Sequence, residues 1–106
     1  MPLSSLTRLL RIVEELRKLD PEMPMQAAGV LLLLAKEPGT TQIELLARAG
    51  VSKSSVNRIF ARLSDRPGGL GLLSMKEDPE DLRRKITNLT SRGKLVITSL
   101  ERIIEE

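Results

Sequence analysis

The sequence contains no cysteine, no histidine, no tryptophan and no tyrosine, and Phe60 is its single aromatic residue. Without cysteine or histidine the chain lacks the side chains for thiolate catalysis, a Ser-His-Asp triad, the usual zinc sites, disulfides and thiol-based redox sensing. Phe60 belongs to a predicted apolar face, which leaves no aromatic residue to line a drug-binding pocket. We therefore expect a protein that is not an enzyme and has no metal ion or cofactor.

Long hydrophobic segments are also missing. The longest uninterrupted apolar run extends from about Ala27 to Ala35, whereas a membrane-spanning helix needs about 20 residues. The first helix has acidic residues within its apolar stretch and no small-residue cleavage site follows, so we predict no signal peptide. A length of 106 residues fits one domain with one modest core. We expect a single soluble domain, residues 1–106, located in the cytoplasm without a membrane partner.

The net charge of +3 is unevenly distributed along the chain. Residues 51–85 carry eight basic and five acidic side chains, whereas the rest of the chain carries nine of each. Clustered cations are typical of proteins that bind a polyanion. They are also compatible with an ordinary solvated surface, so the charge must be read together with the predicted structure.

Apolar periodicity and helix-end signals predict a mainly α protein with a small β-hairpin. The order α-α-α-α-β-β-α is that of a winged helix-turn-helix. The predicted elements are a first helix capped by Ser4 or Ser5 and ended by Asp20-Pro21, helices over Met25–Lys36, Gln42–Ala49 and Lys53–Ser64, strands over Leu70–Met75 and Arg83–Asn88, and a last helix over Ser91–Glu106 capped by Thr90.

The two short central helices are joined by a tight turn. Thr41 followed by Glu44 three residues later predicts a capping box at the start of the first of them. Gly50 suits a left-handed cap at its end, and Ser52 is placed to cap the next helix. Two short helices joined by so tight a glycine-containing turn indicate a helix-turn-helix.

The helix after this turn presents short polar side chains opposite an apolar stripe that ends at Leu63. Arg58 can make two parallel hydrogen bonds to guanine, and Asn57 can do the same to adenine. Small residues and free amides at the helix start suit a close approach to a phosphate. The residues that we predict to contact DNA from this helix are Ser52, Lys53, Ser54, Ser55, Asn57, Arg58 and Arg62.

The hairpin is predicted to be a wing whose loop is longer than a tight two-residue turn. Arg83 is placed to enter the minor groove, where the negative potential of DNA is strongest. Asp81 lies two residues earlier on the same strand face and could brace the Arg83 guanidinium. The cations predicted to contact DNA from the wing are Lys76, Arg83, Arg84 and Lys85.

The first and last helices carry more aliphatic residues than one core of this size is expected to absorb. Exposed apolar patches of that size usually mark an interface. We expect residues 1–20 and 91–106 to be dimerisation helices, with residues 22–90 as a DNA-binding lobe. The predicted interface residues are Leu3, Leu6, Leu10, Val13, Ile97, Leu100, Ile103 and Ile104.

These motifs resemble those of the MarR family of bacterial winged-helix regulators. Asp81, Arg83, Leu89-Thr90 and Gly93 match the family's Asp-Arg-Arg and Leu-Thr-x-x-Gly signature, with Leu82 in place of the first Arg. Further matches are Glu44-Leu45-Leu46-Ala47, Val51-Ser52-Lys53-Ser54-Ser55-Val56 and Gly71-Leu72-Leu73.

The resemblance implies a homodimer that binds a pseudo-palindromic operator in double-stranded DNA. It further implies that the helix after the tight turn enters the major groove and that Arg83 enters the minor groove. The longer link Arg66-Pro67-Gly68-Gly69-Leu70 and the short last helix depart from the family pattern. No residue pattern indicates a small-molecule effector.

Three functions are compatible with these features. We favour a sequence-specific transcriptional regulator, most simply a repressor that occludes a promoter and associates with the nucleoid. The second is an accessory protein of plasmid or phage replication or recombination, which would bind DNA equally well. The third is a winged-helix protein–protein interaction module, which would tolerate charge reversal at Arg58 and Arg83.

Overall fold

The computed structural model describes residues 2–106, and side-chain environments from residue 4 onward. Over this range the fold is a winged helix-turn-helix with five helices and one antiparallel hairpin, which confirms the predicted fold class. The elements are α1 (Pro2–Leu19), α2 (Met25–Lys36), α3 (Gln42–Ala49), α4 (Val56–Leu63), β1 (Leu73–Asp78), β2 (Asp81–Leu89) and α5 (Ser91–Glu105).

The bounds of α2 and α3 agree with the prediction because strong local signals define them. Thr41 caps α3 by accepting a hydrogen bond from the Glu44 amide, with 3.3 Å between Oγ1 and N. Gly50 ends α3 in the left-handed conformation, with φ +67°. The prediction for α1 was wrong at its start: the helix begins at Pro2, so Ser4 and Ser5 lie within its first turn.

Helix α4 starts later than predicted. Residues 53–55 form a turn closed by a 3.0 Å bond from the Ser55 amide to the Ser52 carbonyl. The Ser52 hydroxyl bonds the hydroxyls of Ser54 and Ser55 at 3.2 and 3.0 Å. It therefore does not cap the helix, because short polar side chains compete with the backbone at helix ends. The regular helix begins at Val56.

The wing is longer and its turn tighter than the sequence predicted. Asp78 pairs directly with Asp81, which leaves a two-residue turn, Pro79-Glu80, instead of the longer loop expected. The Asp78 carboxylate accepts a hydrogen bond from the Glu80 amide at 2.9 Å, and Pro79 supplies a fixed φ for the turn. Before the strand, Gly71 takes φ +74° and belongs to the link from α4.

The core lies between α2, α3, α4 and the base of the hairpin. Ten residues form it, namely Ala27, Val30, Leu31, Leu34, Leu45, Ile59, Phe60, Leu63, Leu72 and Leu73. The base of the wing is attached by the buried Thr87, whose amide bonds the Thr40 carbonyl at 3.0 Å. Its carbonyl accepts from the Gly39 amide, also at 3.0 Å. The segment before α3 therefore holds β2 from the side.

Helix α5 packs closely on the link before the wing. Thr90 caps α5 by accepting from the Gly93 amide at 3.0 Å, and its hydroxyl donates to the Gly71 carbonyl at 2.6 Å. A Cβ at Gly93 would lie 2.1 Å from the Leu72 carbonyl oxygen, so only glycine fits there. This close contact gives the Thr-x-x-Gly pattern a structural reason.

Helices α1 and α5 lie against each other. The molecule is elongated, with extents of 49 × 25 × 24 Å. Arg8 donates to the carbonyl oxygens of Ile104 and Glu106 at 3.2 and 2.9 Å. Arg11 forms an ion pair with the Glu106 carboxylate. Along residues 2–106, no helix combines the length and apolar character that crossing a bilayer requires.

Candidate nucleic-acid interface

Helix α4 buries one face and exposes the opposite one. Ile59, Phe60 and Leu63 are almost fully inaccessible and hold the helix on the core. On the other side, Asn57 and Arg58 are exposed. This division follows from the helical repeat, because residues three and four apart share a face.

The turn that precedes α4 adds a second set of exposed polar groups. Lys53 and Ser54 are exposed, whereas Ser52 and Ser55 take part in the hydroxyl cluster described above. Arg58 donates to the Ser55 hydroxyl at 3.3 Å, so its guanidinium is held near the start of α4. The structure therefore brings together the predicted contact residues of this helix and the turn before it, although Arg62 is paired within the chain.

Arg62 is engaged within the chain. Its guanidinium forms an ion pair with the carboxylate of Asp20, which follows α1. The Asp20 side chain is 13% exposed and that of Arg62 36%. Hydrogen bonds from the Glu22 amide and then from Arg62 lower the pKa of Asp20 below its ordinary value. We therefore correct the expectation that Arg62 projects freely with Arg58.

On the wing, Arg83 is the most exposed cation that takes part in an ion pair, with a side chain 92% accessible. The predicted brace from Asp81 is present, with 3.2 Å between Arg83 Nε and Asp81 Oδ1. The Arg83 side chain and amide lower the pKa of Asp81 by hydrogen bonding to its charged form. The carboxylate therefore remains ionised and holds the guanidinium at the outer part of the wing.

The other wing cations are exposed, and two of them lie near acidic residues of the hairpin. Lys85 lies opposite Glu77 across the ladder, and Arg84 Nε is 4.0 Å from a carboxylate oxygen of Asp78. Lys76 is exposed on β1. Exposed pairs of this kind contribute little to stability and leave the cations accessible to another anion.

A cleft of about 420 Å³ separates the first turn of α3 from the middle of β2. Gln42 and Ile43 line one wall, and Arg83, Arg84 and Lys85 line the other. Sequence reasoning did not identify the α3 wall as part of the site, because these two segments lie about 40 residues apart in the sequence. The capping box at Thr41 was the available signal, since it shows where the helix exposes its N-terminal amides.

The predicted interface residues divide into three groups. Leu6, Leu10, Val13 and Ile104 are exposed, with 62, 58, 44 and 58% of their surface accessible. Ile97 is half-buried, whereas Leu100 and Ile103 are buried within the chain, because α5 packs on α1 and α2. We therefore correct the assignment of Leu100 and Ile103, which already pack internally. The side chain of Leu3 lies outside the described residues.

One hydrophobic position that the sequence reasoning left out belongs to this surface. Leu9 is 57% exposed on α1, next to Leu6 and Leu10. It follows Leu6 by three positions, so the two side chains lie on neighbouring parts of the same helical face. The exposed part of α1 is thus wider than predicted.

Comparisons with known proteins identify relatives of this chain. The family model described as MarR family matches residues 22–84. The transcriptional regulator HosA of Escherichia coli O111:H- is 28% identical over 79 residues, which are 74% of this chain and 56% of HosA. The chain thus spans little more than half the length of that relative. The relatives found are named as transcriptional regulators and not as enzymes.

Two solved structures extend the comparison over nearly the whole chain. The PcaV transcriptional regulator from Streptomyces coelicolor is 31% identical, with a TM-score of 0.67, over 95% of this chain and 74% of PcaV. The S. aureus MepR–DNA complex is 19% identical, with a TM-score of 0.79, over 98% of this chain and 81% of MepR. At that identity the likeness to MepR concerns the fold.

Proposed function

The chain belongs to the MarR family, and from this premise we propose that it is a transcriptional regulator that binds double-stranded DNA in a sequence-specific manner as a homodimer. It acts as a repressor by occluding a promoter and associates with the nucleoid of the cytoplasm. In this proposal residues 22–90 are the DNA-binding lobe of a single domain, and residues 1–20 and 91–106 are the dimerisation helices.

The observation that carries the proposal is the pairing of two exposed elements on one lobe. Helix α4 presents Asn57 and Arg58 opposite its buried face, and the wing presents a braced and accessible Arg83. Side chains fixed on a rigid lobe before binding lose little entropy when they meet a ligand. A surface helix and a hairpin with these groups fit the two grooves of a duplex.

Base recognition is assigned to α4. A major groove admits one α-helix, and Arg58 and Asn57 carry the donor and acceptor patterns that match guanine and adenine edges. Lys53 and the amides at the start of α4 contact a phosphate, and Ser54 is small enough to allow that approach. Ser52 and Ser55 support the turn through their hydroxyls.

The wing and the cleft hold the backbone and the minor groove. Arg83 enters the minor groove, while Arg84, Lys85 and Lys76 neutralise phosphates. The cleft between α3 and β2 is lined by Arg83, Arg84 and Lys85 on one side and by Gln42, Ile43 and Glu44 on the other. A phosphodiester that passes from the major to the minor groove fits such a cleft.

The homodimer is proposed from the exposed apolar surface of α1 and α5. Leu6, Leu9, Leu10 and Val13 of α1 are exposed together with Ile104 of α5. Burying an aliphatic side chain contributes about 1.5–3 kcal/mol, so a few residues on each chain suffice to hold two copies together. A two-fold axis would present two copies of α4 to one duplex.

Selection from random duplex DNA followed by a salt titration tests the proposal. We expect an inverted repeat with half-sites about one helical turn apart, and an affinity that falls steeply with salt. Failure of every duplex to bind the purified chain at low ionic strength would overturn DNA recognition. A monomer at micromolar concentration in sedimentation would overturn the dimer.

A further inference from the structure

The contact between Arg62 and Asp20 joins two parts of the molecule that have different proposed roles. Arg62 belongs to the last turn of the reading helix α4, and Asp20 follows the last residue of α1. The two residues are 42 positions apart in the sequence. Helix α1 packs on α5, and its Leu16 and Leu19 also contact the core. The ion pair adds a polar connection from the end of α1 to the helix that would read DNA.

Asp20 is itself firmly held. Its amide bonds the Leu16 carbonyl at 3.3 Å, and its carbonyl accepts from the Met23 amide at 3.0 Å. Its carboxylate also accepts from the Glu22 amide at 3.0 Å, which forms a turn closed by the side chain. The acceptor that Arg62 meets is therefore a fixed point at the end of α1.

The ion pair adds a directional contact to the apolar contacts of α4 and to the 2.8 Å bond from the Leu70 amide to the Arg62 carbonyl. Ile59, Phe60 and Leu63 determine how deeply α4 sits on the core. Hydrophobic contacts are non-directional, so they restrain rotation of the exposed face less strictly than a charged hydrogen bond does. Arg62 is one helical turn after Arg58, and both line the same groove with Asp20.

We propose that Asp20 is a positioning residue that, through Arg62, fixes the orientation of the reading helix relative to α1. In a dimer built on α1, that orientation determines the separation of the two reading helices and hence the half-site spacing that the protein accepts. The second part rests on the proposed function, whereas the first part is a property of the single chain.

The orientation is measured first, without DNA. Because the sequence has no cysteine, spin labels can be attached at Glu14→Cys on α1 and Asn57→Cys on α4, and an excess of unlabelled chain removes distances between copies. We expect one narrow distance distribution, which Asp20→Asn broadens. Asparagine keeps an oxygen for the Glu22 amide and removes only the charge. Arg62→Gln removes the cation of the same ion pair and should also broaden the distance distribution.

Glu37→Gln is the matched control, because it breaks the exposed ion pair between Arg48 and Glu37, which does not involve α1. It should leave the distance distribution narrow. If both Asp20→Asn and Arg62→Gln remain as narrow as the parent chain while folded, the positioning role is wrong. This outcome is independent of whether the chain binds DNA.

The consequence for DNA is measured as the dissociation constant for the selected repeat with one base pair inserted between its halves, divided by that for the selected repeat. Asp20→Asn should reduce this ratio about fivefold, while Glu37→Gln leaves it unchanged. The loss of one negative charge in Asp20→Asn affects the dissociation constants of both duplexes equally and cancels in their ratio. An unchanged ratio would overturn the spacing role, whereas a parent chain without sequence preference would overturn the proposed function instead.

Discussion

The carboxylate of Asp81 accepts hydrogen bonds from the guanidinium of Arg83 two residues further along the same strand, with 3.2 Å from Nε to Oδ1 and 3.5 Å from Nη2 to Oδ2. The arginine is thereby oriented while its side chain stays 92% exposed. An acidic residue close to a cation that is proposed to contact DNA would otherwise be unfavourable, because it repels phosphate. The hydrogen bonds that Asp81 accepts from Arg83 explain its presence, because they orient the guanidinium.

Asp81→Asn should therefore change binding in two opposite directions. Affinity for a shuffled duplex should rise, because a negative charge leaves the wing, while the preference for an A·T-rich flank should fall roughly threefold as Arg83 loses its brace. Titration of the selected and shuffled duplexes measures both effects. Asp65→Asn, an exposed acid in the link before the wing, should raise affinity without altering the preference. If Asp81→Asn and Asp65→Asn reduced the preference for the A·T-rich flank equally, an orienting role of Asp81 toward Arg83 would be contradicted.

Arg58 and Lys53 should behave differently when each is replaced by alanine. Arg58→Ala should cost about 1–3 kcal/mol on the selected site and relax the preference at one base, because a bidentate base contact is lost. Lys53→Ala should weaken all duplexes alike and reduce the salt slope by about 1, because it removes a phosphate contact. Repeating the selection and the salt titration with each variant distinguishes these outcomes. Identical selected sites from the parent and Arg58→Ala would exclude base reading by Arg58.

A charge in the exposed stripe of α1 should disrupt the proposed dimer. Leu6 is 62% exposed in the single chain, so Leu6→Glu costs little within one copy but places a carboxylate in the interface. Sedimentation should show a monomer at a concentration at which the parent chain is dimeric. Leu95→Glu is the control. Leu95 is 70% exposed and lies near the start of α5, whereas Ile104 lies near its end. A dimer that survives Leu6→Glu would exclude this face.

Two glycines in helices should respond oppositely to alanine. Gly93→Ala should destabilise the fold by about 1–3 kcal/mol, because the new Cβ would lie 2.1 Å from the Leu72 carbonyl oxygen. Gly29→Ala in α2 should stabilise it by about 0.5–1 kcal/mol, because no atom lies within 4 Å of the new Cβ and alanine is the better helix former. Urea unfolding of both variants measures the difference. Equal stabilities would contradict the close contact at α5.

The charge of Asp20 should make stability depend on acid pH. Its pKa in the folded chain is lower than its ordinary 3.8, so the unfolded chain binds a proton more readily. The contribution of the Asp20 charge to the free energy of unfolding is complete above the ordinary pKa and is lost as the pH falls through the pKa of the folded chain. Asp20→Asn should therefore flatten the fall of the free energy of unfolding below about pH 4. An equally steep fall in the variant would show that Asp20 does not contribute to it.

The sequence was sufficient where short-range signals define an element. Pro24, Thr41 and Gly50 fixed the bounds of α2 and α3 because proline, a capping hydroxyl and a left-handed glycine each act within one turn. The same reasoning failed at Ser52, where neighbouring hydroxyls satisfy one another and the predicted cap does not form. A local rule cannot decide between two local partners of similar strength.

Relationships between distant segments could not be derived from the sequence. The residues expected to read DNA were recognised from residue type and helical face, but the engagement of Arg62 by Asp20 depends on how α1 and α4 meet in space. The cleft beside Gln42 likewise depends on the tertiary approach of α3 to β2. Helical periodicity indicates that a face is buried or exposed, but not which distant residue it meets.

The buried hydrogen bond from the Thr87 amide to the Thr40 carbonyl fixes the base of the hairpin, whereas its tip projects beyond this point. Met75 pairs with Thr87 and Asp78 pairs with Asp81, so the hairpin extends three residues of β1, about 10 Å, beyond Thr87. Because Thr87 bonds Gly39 and Thr40, a sideways displacement of the tip acts on the residues that lead into α3. In the proposed complex with DNA, pressure on the wing tip would therefore alter the cleft between α3 and β2.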